Sequence, residues 1–172
     1  MKKYVFDPYD NLFPILFEAE KKRILTQSNK ALHIEHVGST AVPGLGGKGI
    51  IDIAILALKN DMAEISIVFQ NLGYELRPSF STSDRLYFVG KLPDPKKKTR
   101  RYHIHLTHPG SPIWKELIGV RDYLKHHPNA VKEYAEIKQQ AVLNHQEGEE
   151  YRKIKDPFLK KILLDICKLN IE

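Results

Sequence analysis

The chain has 172 residues, 42% of them hydrophobic and 28% charged, enough for one well-filled core and one domain spanning residues 1–172. Its single cysteine, Cys167, excludes an internal disulfide, and the longest apolar run, residues 50–58, is broken by Asp52 and too short to span a bilayer. No signal-peptide pattern follows Lys2 and Lys3, so a cytoplasmic protein without a membrane partner is expected, and the formal charge of +6 favours phosphates or nucleic acid as partners without choosing between them.

Residues 10–29 carry Leu12, Ile15, Leu16 and Ala19 at helical spacing, predicting an amphipathic helix that packs on a sheet. Residues 31–37 alternate Leu32, Ile34 and His36 against His33, Glu35 and Val37, a strand that runs straight into Gly38-Ser39. The loop that follows spells G-x-G-x-x-G at Gly44, Gly46 and Gly49, and Gly47-Lys48 looks like the end of a P-loop. Both matches fail on context. A dinucleotide fingerprint opens a helix, whereas residues 50–56 are apolar and β-branched like a buried strand. A P-loop needs glycine where Val42 stands and a hydroxyl residue where Gly49 stands.

Asp61 and Glu64 make a capping pair before the stripe Ile65, Val68, Phe69 and Leu72, and Gly73 stops that helix. Residues 85–91 and 101–108 alternate on either side of the basic loop 91–101, predicting an antiparallel hairpin, with residues 74–77 as a shorter strand. Ser111 and Pro112 open a helix with Trp114, Leu117, Ile118 and Leu124 on one face, and His127-Pro128 ends it. Residues 129–145 and 156–169 read as two more helices, the second opened by Asp156 and Pro157 with Phe158, Ile162 and Ile166 inward, and residues 146–155 as a linker. The expected architecture is a mixed sheet of about four or five strands over residues 30–108, helices on one face, and helices again over residues 111–170. The strand ending in Val37 should lie beside the strand that carries Asp52. His33, His108, His126, His127 and His145 read as surface residues, and His36 as a satisfied, half-buried one.

Asp52 is the informative residue. A carboxylate among isoleucines needs a cation, a metal or hydrogen-bond donors. The Gly38-Ser39 turn offers backbone N–H groups to an anion, and Lys48 adds a charge. His103 and His105, two apart on one strand, share a face. By spacing alone Arg121-Asp122 is an ion pair, Tyr151 a packing tyrosine and Lys155, one turn on, a solvated lysine.

Val37-Gly38-Ser39 followed by Asp52 on the next strand resembles the signature of the nucleotidyltransferase superfamily. The blocks HVGSTAVPGLGGKGIIDI, HIHL, VRDYLKHHP and YRKIK resemble more closely the GrpB-like family, which shares that fold. The resemblance implies an α/β (α+β) fold, a nucleotidyltransferase-like mixed sheet flanked by helices, and metal-dependent transfer of a nucleotidyl group from a nucleoside triphosphate to an acceptor. It places Gly38, Ser39, Thr40, Lys48, Arg121, Tyr151 and Lys155 on the nucleotide phosphates. Asp52, His103 and His105 become the catalytic residues and the ligands of a divalent metal, Mg, Mn or Zn. The signature's second acid is Ala54 here. The two histidines would replace it, and imidazole prefers zinc or manganese to magnesium. Two other readings stay open: a nucleotide- or phosphate-binding module that lost catalysis with the acid at Ala54, and a basic RNA-associated accessory protein using residues 96–101.

Overall fold

The computed structural model describes residues 5–144 and 149–169; His145, expected at the surface, lies outside them. The strands are β1 His33–Val37, β2 Ile51–Leu56, β3 Glu75–Leu76, β4 Arg85–Pro93 and β5 Thr99–Thr107. They form one sheet in the order β1-β2-β5-β4-β3. The β2–β5 pair is parallel and the other pairs are antiparallel, so the sheet is mixed, with the expected β4–β5 hairpin and β1 beside β2. The helices are α1 Leu12–Gln27, α2 Met62–Asn71, α3 Pro112–His126, α4 Pro128–Leu143 and α5 Glu149–Leu169.

Strand alternation sorts the side chains into two faces. One face carries Ile34, Ile51, Ile53, Ile55, Phe88, Ile104 and Leu106, buried against Phe13, Phe17 and Ile24 of α1 and Met62, Ile65 and Phe69 of α2. The register sets Val37, Asp52 and His103 abreast on the opposite face, with Ala54, His105 and Tyr87 in the next row. At its β1 edge this second face meets α3, where Trp114 packs edge-on against His33 and Arg121 bonds Glu35. Helices therefore cover both faces, not one. The C-terminal helices bury a second cluster, Leu124, Tyr134, Phe158 and Ile162, against Val42 and Leu45 of the glycine loop.

Three local expectations are corrected. The inward face of α1 is Phe13, Phe17, Glu20 and Ile24, while Ile15 is 64% exposed, because the two phenylalanines bury more apolar area than the aliphatic stripe that was read. Glu20 is tolerated inside because Arg23 pairs with it at 2.8 Å and Tyr74 donates its hydroxyl at 2.8 Å. Asp61 makes no cap; it and Glu64 both hold Lys30, at 3.3 and 2.8 Å. Finally, α5 begins at Glu149 and carries Pro157 inside it, so most of the expected linker is helix. Tyr151, 4% exposed, anchors that additional turn, and burial of one side chain outweighs the hydrogen bond lost at proline.

Candidate functional site

β1 ends at Val37, and the chain reverses through Gly38 (φ 72°) into a single 3-10 turn, Ser39–Ala41. Glycine is required here twice over. The conformation is left-handed, and a Cβ would stand 2.4 Å from Asp52 Oδ2. Gly38→Ala is expected to lower stability by about 2 kcal/mol, the left-handed penalty plus displacement of the carboxylate, measured as a drop in denaturation midpoint. A midpoint equal to wild type would show that the carboxylate is free to move aside.

Asp52 is the hub of the polar face. His103 Nδ1 donates to its Oδ1 at 3.0 Å, and His105 Nε2 lies 3.9 Å from the same oxygen. The Tyr87 ring meets both imidazoles edge-on, at 5.3 and 5.1 Å between centroids. Burial acts to raise the Asp52 carboxyl, but the hydrogen bond from His103 and the nearby His105 imidazole outweigh it and hold the group well below the ordinary carboxylate range. Burial pushes His105 down against the pull of Asp52, and its Nδ1 is buried without a hydrogen-bond partner.

The three expected metal ligands thus lie together, but as a hydrogen-bonded carboxylate–imidazole cluster. Among the described residues no three His, Cys, Asp or Glu side chains are grouped to hold a metal ion. The position of the second acid is Ala54, fully buried between β1 and β5. A pair of hard divalent ions, which needs several carboxylate oxygens, does not fit this donor set.

Cations dominate the surroundings. Lys48 Nζ and Lys155 Nζ lie 3.9 and 4.8 Å from the centre of the Tyr151 ring. Lys138, only 4% exposed, reaches in from α4, donating to Gly46 O at 3.2 Å and lying 4.4 Å over the Tyr134 ring. Its Nζ and Ser39 Oγ flank Gly47, at 3.3 and 2.8 Å from where a Cβ would be. Burial, with Lys155 and Lys48 adding repulsion, pushes Lys138 down to about 7. Burial likewise lowers Lys48 to about 8, with Lys155 and Arg101 contributing, and it lowers Lys155. Asp52 opposes the shift of all three lysines, so they share its field.

The sequence reading missed Lys138. The signal was its place in the stripe Tyr134, Lys138, Ala141, a lysine at an inward helical position. The Thr40 hydroxyl donates to Ile50 O at 2.9 Å and accepts from His36 Nε2 at 3.0 Å, tying the turn to β2. Burial holds His36 down at about 4, so it is the neutral imidazole that this bond requires. Arg121 is the ion pair its spacing suggested and more, bonded to Asp122 at 2.8 Å, Glu35 at 2.6 Å and His36 O at 3.0 Å. Three cations of the basic loop are paired: Lys96 with Asp10, Lys97 with Asp7 and Arg100 with Asp94.

The GrpB protein family model matches residues 4–164, and the chain belongs to the GrpB family. A UPF0157 protein of Pseudomonas aeruginosa is 35% identical over 159 residues, 91% of this chain and 64% of that protein. The UPF0157 protein YqkA of Bacillus subtilis is 29% identical over 88% of this chain and 44% of its own length, so the chain spans about half to two thirds of these relatives. The crystal structure of the conserved protein GrpB from Enterococcus faecalis superposes with a TM-score of 0.83 at 27% identity, covering 98% of this chain and all of that one. The Cid1 poly(U) polymerase, solved with MgGTP, superposes over 87% of this chain and 50% of its own with a TM-score of 0.52 at 14% identity. The fold is nucleotidyltransferase-like. No helix among the described residues is long and apolar enough to cross a membrane.

Proposed function

We propose that this chain binds the polyphosphate of a nucleoside triphosphate over the Gly38-Ser39 turn, with Lys48, Lys138 and Lys155 supplying the charge that the fold's enzymes draw from metal ions. The observation that carries this reading is a convergence of lysines: buried Lys138 and half-buried Lys48 and Lys155 gather where Asp52 is the carboxylate that opposes them all. Gathering ammonium groups away from bulk water is costly, and such an arrangement is stabilised by an anion brought in from solution. Preorganised lysines beside backbone N–H groups suit phosphate oxygens.

A second reading starts from the meeting of Asp52, His103 and His105 beside the turn. It is nucleotidyl transfer in which one zinc or manganese ion would be held by Asp52 with His103 and His105 turned out of their present arrangement, and Tyr151, Lys155 and Lys48 would face the phosphates. Calorimetric titration with ATP and with tripolyphosphate, in EDTA and then in magnesium, manganese or zinc, separates the two. Lysine-held binding persists in EDTA; binding and nucleotide incorporation seen only with metal support transfer, and no binding under any condition removes both.

The pH dependence follows from the lysines. A bound polyphosphate raises their pKa values, so binding is fullest below about 7, where Lys138 is already protonated, and weakens as pH rises through about 8, the value of Lys48. Between these limits binding takes up protons, read as a calorimetric enthalpy that changes with buffer ionisation heat. An enthalpy independent of buffer would exclude the lysines as the anion's partners.

A further inference from the structure

A cavity of about 240 Å³ opens beside the same turn, lined by residues of α3 and α5. Gly38 and Ser39 form one end of it, and Leu117, Val120, Leu159 and Leu163 form the walls. Tyr134, whose ring lies under Lys138 Nζ, lines it as well, so the phosphate side and the apolar side share one turn and one ring. The polar side chains on its wall are few: Arg121 is held by Glu35, Asp122 and His36 O, leaving Glu116, Ser39 and the Tyr134 hydroxyl.

Building on the anion-site reading, we infer that the second compound drawn to this site is a small molecule with an aryl or short alkyl end, which fills the cavity while its polar end meets the bound phosphates at Ser39. Size and chemistry support this class. A dry cavity of about 150 Å³ already accepts a benzene ring, so this one takes a substituted ring or a short chain. A nucleobase there would leave ring nitrogens and exocyclic groups facing leucines, unpaired. Each methylene moved from water into the cavity is worth roughly fourfold in affinity.

An alkyl or aryl phosphate reproduces the junction of such a compound with a phosphate and serves as the probe. Inorganic phosphate, hexyl phosphate, phenyl phosphate and adenosine monophosphate are titrated into the protein in EDTA, with tripolyphosphate as the control for the lysine site. The expected result is that both hydrocarbon esters bind at least about tenfold tighter than inorganic phosphate. Leu117→Trp, which fills the cavity, and Leu163→Gln, which makes its wall polar, should each remove that advantage and leave tripolyphosphate binding unchanged. Both positions are half-buried, and melting curves report whether each variant is folded. Esters no tighter than phosphate, with tripolyphosphate still bound, would overturn the cavity assignment and leave the anion site standing. Adenosine monophosphate tighter than both esters would make the cavity a base pocket and overturn the assignment too. Failure of tripolyphosphate itself would remove the anion site, and the cavity assignment with it.

Discussion

Lys138→Met is expected to raise the melting temperature of the ligand-free protein and to abolish tripolyphosphate binding. The Lys138 ammonium is 4% exposed, accepted by one carbonyl, and pushed down from 10.5 to about 7 by burial and by Lys155. A lysine lowered on folding is destabilising, and the sign of the pH effect follows: the penalty is absent above about 10.5, grows as pH falls, and is complete below about 7. Methionine keeps the alkyl stem and removes the charge at the expense of leaving Gly46 O unbonded, for a net gain of about 1–3 kcal/mol at neutral pH. For a domain of this size that is about 2–4 °C per kcal/mol. The gain should shrink as the medium is made alkaline, when wild-type Lys138 is neutral in both states. A group retained at a cost to stability is the mark of a working site. Should Lys138→Met melt lower than wild type and still bind tripolyphosphate, Lys138 would be a packing residue and the anion site would lose its deepest member.

The strands, the β1–β2 and β4–β5 pairings and the position of Asp52 beside the Gly-Ser turn were legible in the sequence because period-two alternation and glycine punctuation are local signals, whereas the parallel β2–β5 pairing was not. The hairpin of β4 and β5 and the shared face of His103 and His105 follow from that alternation alone. What was not legible depends on which elements meet. Lys138 lies 99 residues from Ser39 in sequence, and nothing in the spacing of α4 says that its inward lysine reaches the glycine loop. Pro157 reads as a helix start by every local rule, yet the burial of Tyr151 and its contact with Lys48 carry α5 back to Glu149. Arg121 and Thr40 fall at family-like positions, but their hydrogen bonds tie α3 to β1 and the turn to β2. That Asp7, Asp10 and Asp94 pair with Lys97, Lys96 and Arg100 of the basic loop is likewise absent from the loop's own composition.

Asp52→Asn is the substitution whose sign depends on what the fold sets beside the carboxylate. Without a cation, a metal or donors, a carboxylate among isoleucines is a buried charge whose removal raises stability. In the fold it accepts from His103, lies 3.9 Å from His105 and opposes the depression of Lys48, Lys138 and Lys155, so its loss removes the carboxylate that all three lysines face. Its side chain is 22% exposed, which softens the effect without reversing it. The expected result is destabilisation by about 2–4 kcal/mol at neutral pH, from chemical denaturation. Because its carboxyl is held below the ordinary 3.8, the stabilisation it gives is present above that pH and fades only as the medium becomes more acidic. The same variant separates the two readings of the site. If lysines hold the phosphates, removing a nearby negative charge leaves tripolyphosphate binding in EDTA intact or tighter, provided the titration is run well below the melting temperature. If a metal at Asp52 holds them, binding disappears together with the metal. A stabilised Asp52→Asn protein that has also lost all polyphosphate binding would overturn the lysine-centred account, because Asp52 would then be the anchor of a cation and not the counter-charge of three lysines.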